Sequence, residues 1–292
     1  MAAVLVPRSS RLHRAAVTAD TDKRYHNATS DFVHWAQQNK EEPANIEELD
    51  ETLNEYIHWM FDNGGSKDAA YKALYGTMHF LLGAKNRSTF PFSRKSMRGW
   101  TKLYPPRAWS PLTWELCCAI AFQFVRARRP EFAVAVLVAF DGMFRCGELL
   151  NIRVGDLGMD ESGHIGVRLP TAKTGPEKYA RIRKPAVQEI LRWWSKGKRS
   201  DAKLFEFSAT SFRRAFRHVC DGLGLDHSYV IHSCRHGGAT ELFIETHDLH
   251  LVMIFGRWAV SRQPDITCKT AKHSASRTAN LFHRLSERLL RF

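Results

Sequence analysis

Four short segments of this 292-residue sequence carry the side chains best suited to chemistry on an anion. FDGMFRCGELLNIRVGDL holds Arg145, with Glu148 three residues on. TAKTG holds Lys173, IHSCRHGGATEL holds His232, Arg235 and His236, and IFGRW ends in Trp258. A guanidinium is planar, permanently charged and donates paired hydrogen bonds, so two of them together suit the oxygens of a phosphate. A lysine can deliver a proton as a general acid, and a histidine titrates close to neutrality. Taken singly, each residue also has a plainer use. Arg145 suits the negative end of a helix, Lys173 a solvated turn and Trp258 a core. His232, Cys234 and His236 would suit a metal, but a zinc site needs a further ligand cluster, and none stands in the sequence.

These residues must be positioned by a mostly helical chain. Tyr25, Ala28, Phe32 and Trp35 recur at helical spacing between Asp22 and Gln38. Asn45 precedes IEELDETLNEYIHWMF, which Asn63-Gly64-Gly65 stops, and Ser66 caps a third helix. A fourth is expected over Ser93 to Leu103, and Tyr104-Pro105-Pro106-Arg107 reads as a linker. The expected organisation is a basic tail over 1–20, a four-helix domain over 21–104 and a second domain over 108–292. In that second domain Ser110-Pro111 reads as a helix start running to about Ala127, and another helix runs from Pro130 to Arg145. HIGVRLP and KYARIRKP read as a strand pair joined by the polar TAKTGPE. Further helices are expected from Val187 to Ser195, Thr210 to Leu223, Arg235 to Thr246 and from Arg277 onward. The fold class is mainly α with a small antiparallel β-sheet.

In this order the four segments resemble the tyrosine recombinases, or phage-type integrases. The likeness covers Ser110 to the C-terminus, and a helical core-binding domain ahead of it is usual in that family. Arg145, Glu148, Leu149 and Leu150 match the family's first arginine segment, HSCRHGGAT its His-x-x-Arg-His box, and GRW the place of its later His or Trp. The resemblance implies strand cleavage and rejoining of double-stranded DNA through a covalent 3′-phospho-enzyme intermediate, with no metal or other cofactor. It implies that Arg145 and Arg235 clamp the phosphate oxygens, where the transition state concentrates charge. Lys173 would protonate the 5′-oxygen leaving group. His232 would donate to the phosphate or help move the nucleophile's proton. Trp258 would pack by the nucleophile, and Glu148 and His236 would support the site.

One position departs from the pattern. The family's nucleophilic tyrosine comes nine residues after the His or Trp; from Trp258 that position is Thr267, followed by Cys268. The last tyrosine in the chain is Tyr229. An aliphatic alcohol is far less acidic than a phenol, and a thiol is the better nucleophile of the two. The stretch AVSRQPDITCKTAKHSA therefore reads as decayed, rebuilt or altered by a gene-model error. Three readings stay open: a recombinase-like protein of a mobile element or integrase lineage that binds and recombines DNA, a DNA-binding protein of the same fold that cannot cut, and a basic helical nucleic-acid-binding regulator of other ancestry.

Bulk composition agrees with a polyanion partner. The net charge is +13, and each phosphate neutralised by Lys or Arg releases counterions. Arg213, Arg214 and Arg217, at helical spacing, are candidate DNA contacts or a solvated helix face. The six cysteines lack the spacing of a disulfide framework or zinc site, which fits a reduced intracellular compartment, nucleus or cytoplasm. No apolar run is long enough to span a bilayer. The acid-free start MAAVLVPRSSRLHRAAVT suits an organelle transit peptide, a DNA-touching tail or an imperfect gene start. Leu281, Leu285 and Leu289 form a C-terminal stripe, either a surface helix or one lent to a neighbour in a DNA-bound tetramer.

Overall fold

The computed structural model describes residues 16–80, 89–106, 109–159, 163–169 and 178–258. The chain divides into two compact units, Met1–Pro106 and Arg107–Phe292.

In the first unit, α1 (Ala19–Gln38), α2 (Ile46–Asp62), α3 (Lys67–Phe80) and α4 (Pro91–Leu103) enclose a core of Phe32, Leu49, Leu53, Ile57, Leu74, Met97 and Trp100. Asn45 caps α2 by accepting from Glu48 N at 2.9 Å, and Ser66 caps α3, as their types predict. Helix α4 begins without a cap of its own, because Phe90 sits at φ +64. Its first N–H groups go to the buried carboxylate of Asp50, which accepts from Phe92 N at 2.8 Å and Ser93 N at 3.0 Å. A negative charge at a helix N-terminus is favourable, and this one ties α4 to α2.

The second unit is built round α6 (Pro130–Asp141), in which every residue from Phe132 to Asp141 is buried. A helix apolar on all sides must lie at the centre of its domain. Helices α5 (Trp114–Arg126), α8 (Pro185–Ser195) and α10 (His232–Thr246) pack on it. The short α7 (Cys146–Leu149), α9 (Ala209–Gly222) and α11 (Leu249–Gly256) are the remaining α-helices among the described residues. The sheet runs β1 (Leu157–Met159), β2 (Ile165–Leu169) and β3 (Lys178–Arg181), antiparallel throughout. Val167 is the register point, opposite Leu157 on one side and Ala180 on the other. Among the described residues the molecule is thus mainly helical with one small antiparallel sheet.

Several boundaries differ from the expectation, each for a tertiary reason. Ser110-Pro111 does not open α5; Thr113 does, accepting from Leu116 N at 3.3 Å. The residues before it are held extended, with Ser110 N on Ser228 O at 3.2 Å and Leu112 N on Ser233 O at 3.1 Å. Helix α6 stops at Asp141 rather than Arg145, because Gly142 and Met143 turn their carbonyls to buried arginines. Helix α10 starts at His232, one turn before Arg235. Strand β1, three residues long, and helix α11 were not foreseen. The expected C-terminal helix with Leu281, Leu285 and Leu289 lies outside the described residues, as do Lys173, Thr267 and Cys268.

Candidate phosphate-binding site

Three arginines from three places in the second unit meet on one carboxylate. Arg145 stands at the N-terminus of α7, where its backbone N–H donates to Glu148 Oε2 at 3.0 Å and its guanidinium pairs with Oε1 of the same residue. This reciprocal cap explains the Arg-x-x-Glu spacing locally: Glu148 satisfies the first turn and turns back to the residue that precedes it. Arg235 comes from α10 and lies 3.7 Å from Glu148 Oε2. Arg257, just past α11, reaches the same oxygen at 3.1 Å.

Their surroundings differ. The Arg145 side chain is 51% exposed, whereas that of Arg235 is 1% exposed. Arg235 donates to the carbonyls of Met143 and Gly256 and stacks on the Trp258 ring, 4.4 Å from its centroid. Stacking a guanidinium on an indole is favourable in itself and fixes the plane of the cation. Arg257, at φ +57, donates to Gly142 O at 3.1 Å, Phe255 O at 3.1 Å and Met143 O at 2.8 Å. The loop between α6 and α7 is thereby held by two arginines that arrive from the far end of the chain.

Close helix packing makes this possible. A Cβ on Gly237 would stand 2.1 Å from Leu112 O, and one on Gly238 2.1 Å from Phe140 O. The two glycines after His236 therefore let α10 sit directly against α6 on one side and the segment at Leu112 on the other, which aims Arg235 at the loop. Gly256 plays the same part for Trp258, whose ring occupies the space a Cβ would fill.

The charges act on one another. Burial would push the Glu148 carboxyl up, but Arg257, Arg145 and Arg235 outweigh it, and its pKa falls below the ordinary value. Three guanidiniums on one carboxylate leave an excess of positive charge. That excess, with burial acting first, lowers Arg235 to about 9 and Arg257 below its usual range. His232 opens α10 at the surface, its ring edge-on to His236 at 4.7 Å between centroids. Loss of water from part of its ring, then His236, Arg235 and Arg145, bring its pKa down to about 4, with Glu148 opposing. The imidazole is therefore neutral at physiological pH.

Beside His232 opens a cleft of about 670 Å³ lined by Trp109, Cys146, Arg213, Arg214 and Tyr229 among others, with no acidic residue among the described residues of its wall. Arg213 and Arg214 are exposed there. Arg217 is turned otherwise, donating to the carbonyls of Asp226, His227 and Tyr229 at 3.3, 3.4 and 2.8 Å, so that it braces the loop leading to α10. Of the residues expected at the site, Arg145, Glu148, Arg235 and Trp258 are joined by direct contact, and His232 and His236 stand next to them. Arg257 was missed; it reads in the sequence as a spacer between Gly256 and Trp258, and only its fold position gives it partners. Among the described residues no group of three or more His, Cys, Asp or Glu is placed to hold a metal.

Comparison with known proteins bears on this geometry. A signature described as the phage integrase family matches residues 126–263. No curated protein matches the sequence. Among solved structures, the Tn1549 transposon integrase in complex with transposon right-end DNA superposes with a TM-score of 0.59 at 15% identity, over 94% of this chain and 96% of that one. A lambda integrase dimer bound to a COC′ core site gives 0.55 at 12% identity, over 93% of each chain. The XerH site-specific recombinase bound to its difH substrate gives 0.54 at 14%, over 90% of this chain and 75% of that one. These likenesses share a fold, and the four contact residues sit within the matched segment.

Proposed function

We propose that the protein binds double-stranded DNA and grips one backbone phosphate at the Arg145–Arg235–His232 cluster, a reading supported by the phage integrase signature over residues 126–263 and the tyrosine recombinase fold. The observation that carries the reading is the gathering of Arg145, Arg235 and Arg257 on the single carboxylate of Glu148. A site with more cations than it can neutralise internally is stabilised by an incoming anion, and Arg145 is its exposed member. Arg235 and Arg257, each buried, supply field from behind rather than a surface clamp.

In the cleaving form of this reading, a nucleophile from the segment holding Thr267 and Cys268 attacks phosphorus. The P–O5′ bond breaks, and the 5′-oxygen takes its proton from Lys173. His232, neutral at working pH, donates to the phosphate or takes the nucleophile's proton. In this reading the assembly on DNA is a homo-oligomer.

A second reading is favoured by one observation: the position nine residues after Trp258 is Thr267 rather than a tyrosine. In this form the protein binds DNA and leaves it intact. Incubation with a nicked suicide duplex, followed by denaturing electrophoresis, separates the two. A covalent adduct whose formation slows by about a hundredfold in Arg145→Ala supports cleavage, and its loss in Cys268→Ser assigns it to sulfur. Binding that Arg145→Ala weakens, with no adduct, supports the binding form. Binding indifferent to Arg145→Ala overturns the phosphate site itself.

A further inference from the structure

The unforeseen member of the cluster, Arg257, has a role that its contacts define. In the free protein the Arg145 guanidinium is paired with Glu148, so the exposed cation offered to DNA is already occupied by an internal anion. Binding a phosphate requires Arg145 to leave that carboxylate. Glu148 is largely buried, its side chain 15% exposed, and stripping a buried charge of its partner is strongly disfavoured.

Glu148 is nevertheless not stranded when the Arg145 guanidinium swings away. Its Oε2 keeps the Arg145 backbone N–H at 3.0 Å and the Arg257 Nη2 at 3.1 Å, with Arg235 Nη1 3.7 Å off. Of these cations Arg257 alone makes a hydrogen bond to the carboxylate, and it cannot itself go to solvent. Its side chain is 3% exposed and is anchored to the carbonyls of Gly142, Met143 and Phe255. We propose that Arg257 is a positioning residue: the reserve counter-ion of Glu148, which frees the Arg145 guanidinium to exchange an internal carboxylate for a DNA phosphate. This rests on the DNA-phosphate reading above and adds to it a partner exchange. Glu148 is the seat's occupant in the free state, and Arg257 is what makes its displacement tolerable.

The exchange predicts a coupling that a purely structural arginine would not show. Without Arg257, Arg145 is retained by Glu148 and DNA affinity falls; neutralising Glu148 then releases Arg145 and restores it. Anisotropy with a fluorescein-labelled mixed-sequence duplex at one fixed salt concentration reads this out, with near-UV circular dichroism reporting the fold. Arg257→Met is expected to weaken binding by about tenfold, and the double variant Arg257→Met/Glu148→Gln to return to within about threefold of the unaltered protein. A double variant as weak as Arg257→Met overturns the proposal, because the loss is then one of structure. If Arg257→Met does not fold, Arg257→Lys serves. It keeps the charge but loses the fork, so a smaller loss is expected, again recovered with Glu148→Gln; a loss not recovered overturns the proposal equally. Failure of the unaltered protein to bind the duplex would remove the phosphate reading and this exchange together.

Discussion

A histidine at the mouth of a cationic cluster is held neutral first by partial loss of water and then by the charges around it, and this has a thermodynamic consequence. His232 titrates at about 4 in the folded chain, while an unperturbed histidine titrates near 6.5. Between those values the unfolded chain binds more protons at this position than the folded one, so stability is lost as pH falls through the window. Glu148, lowered from its ordinary value, acts in the same direction further down, its contribution disappearing as it protonates. Asp141 and Glu241, both raised by burial, oppose the trend, so the total curve does not isolate His232. The difference between the unaltered protein and His232→Gln does. The thermal midpoint of the variant is expected to fall less between pH 6.5 and 4.5, and identical slopes would show that neither burial nor the cations around the ring shift its titration. At this scale the sequence was legible where residue type and spacing formed a pattern, as for Arg145, Glu148, Arg235 and Trp258. It was silent on Arg257, because a left-handed arginine between a glycine and a tryptophan gains its partners only when α11 docks beside the α6–α7 loop.

At the level of elements, the site depends on how closely two helices approach. Helix α10 reaches the α6 backbone because residue 238 lacks a side chain, and the extended segment at Leu112 because residue 237 does. Alanine normally stabilises a helix relative to glycine by up to about 1 kcal/mol. Here a methyl at 238 would meet the carbonyl of Phe140 at 2.1 Å, a backbone atom that cannot rotate aside. Gly238→Ala is therefore expected to destabilise by about 3 kcal/mol in urea unfolding, the upper range for overpacking a well-filled interior. Gly222→Ala, at the exposed end of α9 with nothing within 4 Å of the added carbon, should be neutral or slightly stabilising. Equal effects at the two positions would mean that helix propensity, not close approach, governs α10. Most helices were legible from apolar spacing, and Asn45 and Ser66 from their capping chemistry. The true start of α5 was not, since Ser110-Pro111 is a good local start overruled by hydrogen bonds to Ser228 and Ser233 far along the chain. Strand β1 is too short to carry an alternating pattern and exists by pairing with β2.

Over the whole molecule, the excess of 13 positive charges says that a polyanion will be attracted but not where it will lie. The cleft beside His232 narrows this, since Arg213 and Arg214 are exposed in a wall whose described residues include no carboxylate, while Arg217, one turn further, is spent on three backbone carbonyls. A run of arginines on one helix thus divides into two for a partner and one for the fold, a division that helical spacing alone left undecided. Phosphates neutralised by such residues release counterions, so the logarithm of the affinity falls linearly with the logarithm of salt concentration, by about 0.9 for each phosphate on duplex DNA. If Arg213 and Arg214 each meet a phosphate, replacing both with alanine should reduce that slope by about 1.8 and weaken binding to a similar degree on duplexes of unrelated sequence. Arg217→Ala should instead lower the unfolding midpoint of the free protein, while the salt slope stays close to that of the unaltered chain. A slope unchanged in the double variant would mean that the DNA passes elsewhere over the basic surface, and that the cleft next to His232 faces water in the complex as it does in the free protein.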